Sequence, residues 1–336
     1  MEKRIVEIIP EPLNKEILRI QYTPFKICNY HCPYCFQNIC ERTKINLKNI
    51  DLFFTNFDTM IETYKKQTNI SNICSHITFI GGEVSLLDID FVLKCLNHIK
   101  SKYSFLFFTN FQEKPQYYFK LYEYFDKKNV SGKIKISFHP SQISNEKFIS
   151  KLTEFVKLTK DLYIKPIQIH MVLNKTNHEN IKRFISEYNN SDLLQKNFTC
   201  TFALDYNYRN QKVIDDFSDI AAKIKNLREN NICKYDDGST LTYKDKTYLQ
   251  IENSIDYDNI KNIRCIQELK HIAINEIGDI CLPCTRMYSS GEFESFGNIY
   301  KNEYKFKKDI DIICPKEKCS RIKCIRTEHI IFEYNK

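Results

Sequence analysis

The segment Cys28-Asn-Tyr-His-Cys32-Pro-Tyr-Cys35, which we call the cysteine loop, places three cysteines in the spacing C-x3-C-x2-C. A 4Fe–4S cube has four irons, and each iron normally takes one thiolate. Three closely spaced cysteines supply three of these thiolates, so one iron is left open to bind another molecule. This arrangement is typical of a reactive cluster and not of a sealed electron carrier.

Zinc is the alternative for the cysteine loop. A structural zinc site usually closes its shell with four protein ligands. His31 and Cys40 lie near enough in the sequence to be considered as the missing ligand. The rest of the chain favours an iron–sulfur cluster over this alternative.

A second motif, Gly81-Gly82-Glu83, is conspicuous because the whole chain has only 7 glycines. We call it the Gly-Gly-Glu segment. The stretch 76–80 before it is predicted to be a short buried strand. A strand that ends in this way places bare backbone and one carboxylate at its C-terminal edge, where glycine lets a ligand approach closely. A tight turn before the next helix is the alternative.

Strand and helix patterns alternate along the first two thirds of the chain. The repeated β-α units predict a parallel sheet with right-handed crossovers. Six units fall short of a closed eight-stranded barrel, and the two motifs follow the first two strands, at the edge where parallel barrels carry their chemistry. The predicted strands are 17–22, 76–80, 104–110, 134–138, 164–173 and 198–204, and the predicted helices are 86–100, 114–127, 143–159, 176–189 and 212–229.

The cysteine loop and the Gly-Gly-Glu segment resemble those of the radical S-adenosylmethionine (SAM) superfamily. The resemblance implies an α/β fold built as a partial, TIM-like (β/α)6 barrel. It also implies that Cys28, Cys32 and Cys35 bind a 4Fe–4S cluster whose open iron holds the amino and carboxylate groups of SAM. Reductive cleavage of SAM would then give a 5′-deoxyadenosyl radical, which abstracts hydrogen from the substrate.

The same resemblance implies which side chains contact SAM. The Gly-Gly-Glu segment (Gly81, Gly82 and Glu83) would meet the amino group of SAM. Ser137, near the end of the fourth predicted strand, is the candidate for its ribose or carboxylate. Asn174, after the fifth strand, is a further candidate, and Tyr34 is the candidate for adenine. Ser137 and Asn174 have the alternative role of capping the following helix. The sequence singles out no catalytic acid or base.

The C-terminal third of the chain is rich in cysteine. Segment 272–284 predicts a small hairpin with its turn near 276–279. The cysteines of this region, together with Phe296-Gly297-Asn298-Ile299, resemble the SPASM and twitch extensions of radical SAM enzymes. This implies one auxiliary 4Fe–4S cluster, although the last three cysteines have the spacing C-x4-C-x4-C and a zinc ribbon is the alternative. The candidate ligands are Cys265, Cys281, Cys284, Cys314, Cys319 and Cys324.

Two domains are predicted, a radical SAM core over 1–230 and an auxiliary iron–sulfur domain over 231–336. No apolar run is long enough to span a bilayer and no signal peptide is recognisable, so we expect a cytoplasmic protein that does not act at a membrane. Cysteine in that setting indicates metal or redox chemistry more than disulfides. The net charge of +8 is spread among acidic residues, and no nucleic-acid-binding motif occurs, so nucleic acid is not expected as a partner.

The function expected from this resemblance is radical modification of a peptide or protein, of the kind carried out by maturases of ribosomal peptides or sulfatases. Flavodoxin or ferredoxin is the expected electron donor. Only 27 residues precede the cysteine loop, so a partner protein is expected to supply any leader-peptide recognition. One alternative is radical oxidation or epimerisation of a small molecule. The other is a non-catalytic iron–sulfur or zinc-binding interaction protein.

Overall fold

The computed structural model describes residues 5–9, 17–35, 44–162, 166–174, 176–204, 232–235, 237–242, 264–283, 295–313 and 330–333. Several predicted features lie outside these residues: helix 212–229, Cys40, and four candidate ligands of the auxiliary cluster, Cys284, Cys314, Cys319 and Cys324.

Helices separate the described strands between residues 17 and 204. The strands are β1 (Ile5–Ile9), β2 (Ile17–Tyr22), β3 (Cys74–Phe79), β4 (Tyr103–Thr109), β5 (Ser131–Phe138), β6 (Ile167–Leu173), β7 (Phe198–Leu204), β8 (Ile232–Tyr235), β9 (Thr240–Thr242), β10 (Arg264–Glu268), β11 (His271–Ile274), β12 (Ile280–Cys281), β13 (Gly297–Asn298), β14 (Glu303–Tyr304), β15 (Asp309–Ile313) and β16 (Ile330–Glu333). The helices are α1 (Leu47–Thr68), α2 (Ile89–Leu96), α3 (Pro115–Lys127), α4 (Asn145–Leu158), α5 (His178–Asn189) and α6 (Asp192–Asn197).

An eight-stranded sheet with the order β12-β11-β2-β3-β4-β5-β6-β7 forms the centre of the fold. From β2 to β7 each strand lies parallel to the next one in the chain, with helical crossovers between them. This is the predicted α/β architecture with a partial TIM-like barrel, and the prediction is confirmed. The carboxyl ends of β2 and β3 therefore lie side by side, which brings the two sequence motifs together.

The two faces of the parallel sheet differ in character. On one face, residues such as Ile20, Ile77 and Ile136 are buried. The alternate positions are only partly buried and include polar residues such as Thr78 and Ser137. Since successive side chains of a strand point to opposite faces, the apolar face packs against the helices and the other face is left with polar groups.

Helix α1, which was not among the predicted helices, packs on the apolar face. Its buried residues recur at helical spacing, as an amphipathic helix requires: Ile50, Phe53, Phe54, Phe57, Met60, Ile61 and Tyr64. The side chain of Asn46 caps its first turn by accepting a hydrogen bond from the Asn49 amide. The helix ends at Asn69, which has a left-handed backbone with φ of 59°. Within the described residues, no helix combines the length and apolar composition needed to cross a bilayer.

The predicted hairpin near the C-terminus is confirmed. Strands β11 and β12 pair antiparallel around the turn 275–279, and β11 also pairs in parallel with β2. A second sheet, with the order β15-β10-β16-β1-β8-β9, has antiparallel pairing and joins β1 to strands from beyond residue 231. The division into 1–230 and 231–336 stays a prediction, although hydrogen-bonded strands connect the two parts in both sheets.

Candidate functional site

The residues that lead into the cysteine loop are hydrogen-bonded through their backbone to the Gly-Gly-Glu segment. The Gly82 amide donates to the Phe25 carbonyl, and the Glu83 amide donates to the Ile27 carbonyl, each over 2.9 Å. A Cβ atom on Gly82 would lie 1.8 Å from the Ile27 carbonyl oxygen. Glycine is required here because the backbone leading into the cysteine loop fills the space, so the motif is explained by loop packing before any ligand is considered. Contact of Gly81 and Gly82 with SAM stays a prediction.

The Glu83 carboxylate joins the ends of β3 and β4. One oxygen, Oε1, accepts from the Ser85 amide (2.9 Å), the Ser85 hydroxyl (2.6 Å) and the Thr109 hydroxyl (2.7 Å). The other oxygen, Oε2, accepts from the Asn110 amide over 2.6 Å. Burial raises the pKa of this carboxyl, and the four hydrogen bonds oppose that shift. Most of its acceptor capacity is used inside the protein, and its predicted contact with the SAM amino group stays a prediction.

Asn110 extends this network to the cysteine loop. Its side-chain nitrogen Nδ2 lies 2.8 Å from Asn29 Oδ1 and 3.7 Å from Cys28 Sγ, and its Oδ1 accepts from the Gln112 amide. Asn110 was not among the predicted site residues. The available signal was the polar pair Thr109-Asn110, which ends the strand after the Gly-Gly-Glu segment.

The three thiols of the cysteine loop lie close enough to influence one another. Burial and then the neighbouring Cys28 and Cys35 raise the pKa of the Cys32 thiol to about 12. The Cys35 amide donates to the Cys32 carbonyl over 3.0 Å, which closes a turn around Pro33 and Tyr34. Three thiols whose negative charges would repel one another suit a cationic centre, because metal coordination deprotonates a thiol outright. The loop therefore fits an iron–sulfur cluster.

The spacing of these thiols bears on the zinc alternative. Within the part of the chain that the structure describes, no three His, Cys, Asp or Glu side chains are grouped as one metal ion requires. Ligands of one zinc ion converge on a single centre, about 2.3 Å from each sulfur. The thiolates of a cube bind different irons and so stand further apart. Cys40, which was considered as a zinc ligand, lies outside the described residues.

The segment after β5 covers one side of the cysteine loop. The Tyr34 hydroxyl lies 2.8 Å from His139 Nδ1, and the two rings stack with their centroids 5.8 Å apart. Burial lowers the pKa of His139 to about 4, so this imidazole is neutral at pH 7. The Tyr30 hydroxyl donates to Gln112 Oε1 over 2.6 Å. The hydroxyl of Tyr34 is occupied by His139, and the predicted contact of Tyr34 with adenine stays a prediction.

The other two candidate SAM ligands have different settings. Ser137 lies on the polar face of the sheet and pairs with His170 of β6. The Asn174 side chain is buried, and its Oδ1 accepts from the Thr176 amide, the Thr176 hydroxyl and the Asn177 amide within 2.8–3.1 Å. These contacts fix the turn that leads into α5, but they do not cap the helix, whose N-cap is Asn177. Roles for Ser137 and Asn174 in SAM binding stay predictions.

Of the six candidate cluster ligands in the C-terminal region, which we call the tail, the two described ones lie in different sheets. Cys265 pairs with Ile312 and Phe332 in the antiparallel sheet, whereas Cys281 pairs with Ala273 at the edge of the parallel sheet. Glu276 lies in the turn of the hairpin, and its Oε1 is 2.7 Å from Lys26 Nζ. This ion pair ties the hairpin turn to the chain just before the cysteine loop.

The Gly-Asn-Ile element of the tail has a structural explanation. Gly297 has φ of 117°, and a Cβ there would lie 2.0 Å from the Glu303 carbonyl oxygen. The Asn298 Nδ2 donates to the Ile277 carbonyl and to Asp279 Oδ1, while its Oδ1 accepts from the amides of Tyr300 and Lys301. The element holds the hairpin turn in place.

No family model matches this chain, and no curated protein matches its sequence. Among solved structures, the crystal structure of Streptococcus suis SuiB bound to precursor peptide SuiA is similar, with a TM-score of 0.38 and 16% sequence identity. The match covers 85% of this chain and 63% of the SuiB chain, so the chain spans less than two thirds of the length of that protein.

Proposed function

We propose that this protein is a radical SAM enzyme that modifies a peptide or protein substrate. The observation that carries the proposal is the position of the cysteine loop. It follows the first strand of a parallel sheet, and the residues that lead into it, Phe25 and Ile27, are hydrogen-bonded to the Gly-Gly-Glu segment at the end of the next strand. Chemistry gathers at this edge in parallel α/β barrels, and three cysteines of this spacing leave one iron of a cube open.

Cys28, Cys32 and Cys35 would hold the cluster. When bound, the cluster would supply one electron to SAM, whose carbon–sulfur bond then breaks to give methionine and the radical that takes hydrogen from the substrate. The protein's part is to position and enclose these groups. The Glu83 network fixes the two strand ends, and His139 with Tyr34 covers the loop from the side of β5.

The polar face of the sheet is the proposed floor of the substrate site. Gln21, Thr78, Ser137, His170 and Thr201 lie on this face by strand register and alternation. None of them is fully buried. A closed barrel fills its interior with bulky branched side chains. This face carries Leu106 and Phe108 of β4 as well, but it also has amides, hydroxyls and imidazoles that can hydrogen-bond to a peptide.

The tail is proposed to hold one auxiliary 4Fe–4S cluster with ligands from the six tail cysteines. Flavodoxin or ferredoxin is the proposed electron donor for the cysteine-loop cluster. Oxidation or epimerisation of a small molecule is the second candidate function, because the polar face would serve a small polar substrate equally well. A non-catalytic iron–sulfur or zinc-binding protein is the third candidate.

The test is SAM cleavage by anaerobically reconstituted protein. Iron and sulfide are measured per chain, and 5′-deoxyadenosine is quantified after adding SAM and dithionite. We expect formation of 5′-deoxyadenosine by the native chain and by Cys74→Ala, a partly buried cysteine at the start of β3. We expect none from Cys32→Ala. Cleavage that survives in Cys32→Ala would overturn the site assignment, and its absence from the native chain would leave the non-catalytic candidate.

A further inference from the structure

The Asn110 side chain offers a neutral N–H donor to the Cys28 sulfur of the cysteine loop. Its carboxamide has two N–H donors, and Nδ2 lies within reach of Asn29 Oδ1 and of Cys28 Sγ. The Tyr30 backbone amide is a second donor to the same sulfur, over 3.4 Å. Cys28 is therefore held from two sides by N–H groups.

The segment that carries Asn110 is firmly held. Its backbone amide donates to the buried Glu83 carboxylate, and its Oδ1 accepts from the Gln112 amide. Phe111 is fully buried and has a φ of 58°, a conformation that costs energy for a bulky residue and persists only when its surroundings impose it. Lys151 Nζ lies 3.1 Å from the Phe111 carbonyl, and it also contacts the Gln112 and Glu113 carbonyls. The carboxamide of Asn110 is thus aimed at Cys28 before any cluster binds.

We propose that Asn110 is a positioning residue that raises the reduction potential of the cysteine-loop cluster through its hydrogen bond to Cys28. This inference rests on the proposed function. Reduction adds one negative charge to a cluster, and hydrogen bonds to the cluster sulfurs are among the factors that set its potential. An N–H donor stabilises the more negative form more strongly, because bonds to charged acceptors are the stronger ones.

Two substitutions separate this role from simple packing. Asn110→Asp keeps the size of the side chain and the oxygen that accepts from Gln112, but it replaces the N–H donor by an acceptor. Asn110→Ala removes the donor and the packing together. Asn145→Ala is the matched control. Asn145 and Asn110 are each 4% exposed, and Asn145 Nδ2 donates to the Asn180 carbonyl, away from the cysteine loop.

The measurement is a redox titration with dithionite, followed by electron paramagnetic resonance of the reduced cluster. If the signal of an auxiliary cluster overlaps with that of the cysteine-loop cluster, Cys265 and Cys281 of the tail are replaced by alanine in all samples. We expect the midpoint potential to fall in the order native, Asn110→Ala, Asn110→Asp, at equal iron per chain, and to stay unchanged in Asn145→Ala. Because Asn110→Asp also adds a negative charge near the cluster, Asn110→Ala is the decisive variant, and an unchanged potential in Asn110→Ala would overturn the inference.

If the variants fail to fold, a second measurement on the native chain tests for the hydrogen bond from Asn110 to Cys28. Asparagine labelled with ¹⁵N only at the carboxamide is incorporated, and the reduced cluster is examined by pulsed electron paramagnetic resonance. We expect a weak hyperfine coupling of the cluster to ¹⁴N in the unlabelled protein and to ¹⁵N in the labelled protein. A spectrum that labelling does not change would overturn the inference. A native chain that binds no iron would instead overturn the proposed function.

Discussion

Glu83 organises the candidate site through hydrogen bonds inside the protein. Its carboxylate is buried and receives hydrogen bonds from Ser85, Thr109 and Asn110. Each of these donors would lose its partner if the carboxylate were removed, and a buried donor without a partner costs about 1–3 kcal/mol. Glu83 therefore helps to hold the ends of β3 and β4 in their relative positions.

At this scale we predict that Glu83→Gln lowers the free energy of unfolding by about 1–3 kcal/mol. The substitution keeps the shape but turns one acceptor oxygen into an NH₂ group that faces other donors. Urea unfolding of the anaerobic protein measures the loss. Glu154→Gln, on the exposed side of α4, is the control and should stay within about 0.5 kcal/mol of the native chain. A Glu83 variant as stable as the control would contradict the structural role.

A second measurement on Glu83→Gln separates its stabilising role from SAM binding. SAM affinity is determined by titration on protein that has retained its iron. Affinity reduced at full iron content would support the predicted contact with the SAM amino group. Affinity that falls only in proportion to lost iron would assign Glu83 to the support of the cysteine loop.

At the scale of elements, the strands were predicted well because they alternate between buried and partly buried residues. The bounds of β2 and β7 match the predicted 17–22 and 198–204. The antiparallel sheet was not predicted, since β1 pairs with residues more than two hundred positions away and no local pattern encodes such a partner. Helix α1 could have been predicted, because its buried residues follow helical spacing.

The candidate site was predictable in its motifs but not in its network. Cysteine spacing and the Gly-Gly-Glu segment are local in sequence, so they were recognisable. The contact of Asn110 with Cys28 joins residues in two loops that follow separate strands. It depends on which strand ends become neighbours, and one sequence without its fold does not provide that information.

The hydrogen bonds between residues 25–27, which lead into the cysteine loop, and the Gly-Gly-Glu segment lead to a prediction for Gly82→Ala. The added methyl group would overlap the Ile27 carbonyl and force the two segments apart. We expect a loss of stability of about 1–3 kcal/mol, typical of overpacking, together with less iron per chain after reconstitution. Gly238→Asn is the control, because nothing lies within 4 Å of a Cβ there and asparagine is among the residues that best tolerate its left-handed backbone, with φ of 80°. Native iron content and stability in Gly82→Ala would contradict the described pairing.

At the scale of the whole molecule, the hairpin of the tail is part of the barrel sheet. Strand β11 covers the open edge of β2, and both of its faces are buried. A fragment of residues 1–230 would expose that edge, and exposed strand edges promote association. We predict that this fragment elutes as aggregate in size-exclusion chromatography while the full chain, purified in parallel, does not. A folded monomeric fragment would instead support the predicted boundary at 230.

The number of clusters is a further property of the whole molecule. We expect a Cys28/Cys32/Cys35→Ala triple variant to retain about four irons per chain after anaerobic reconstitution, since a cube contains four. Those irons would belong to the tail cysteines. A triple variant that binds no iron would contradict the auxiliary cluster and would favour the zinc ribbon and a small-molecule substrate.

The pairing of β1 with β8 and β16 has a consequence for the order in which the chain folds on the ribosome. Strands β2 to β7 each pair with the next one made, so this part of the barrel can assemble as it emerges. Strand β1 emerges before them, yet one of its partners, Ile330–Glu333, is translated after all the tail cysteines. The cysteine loop and the strands around it can therefore be in place before the last strand of the antiparallel sheet has been made.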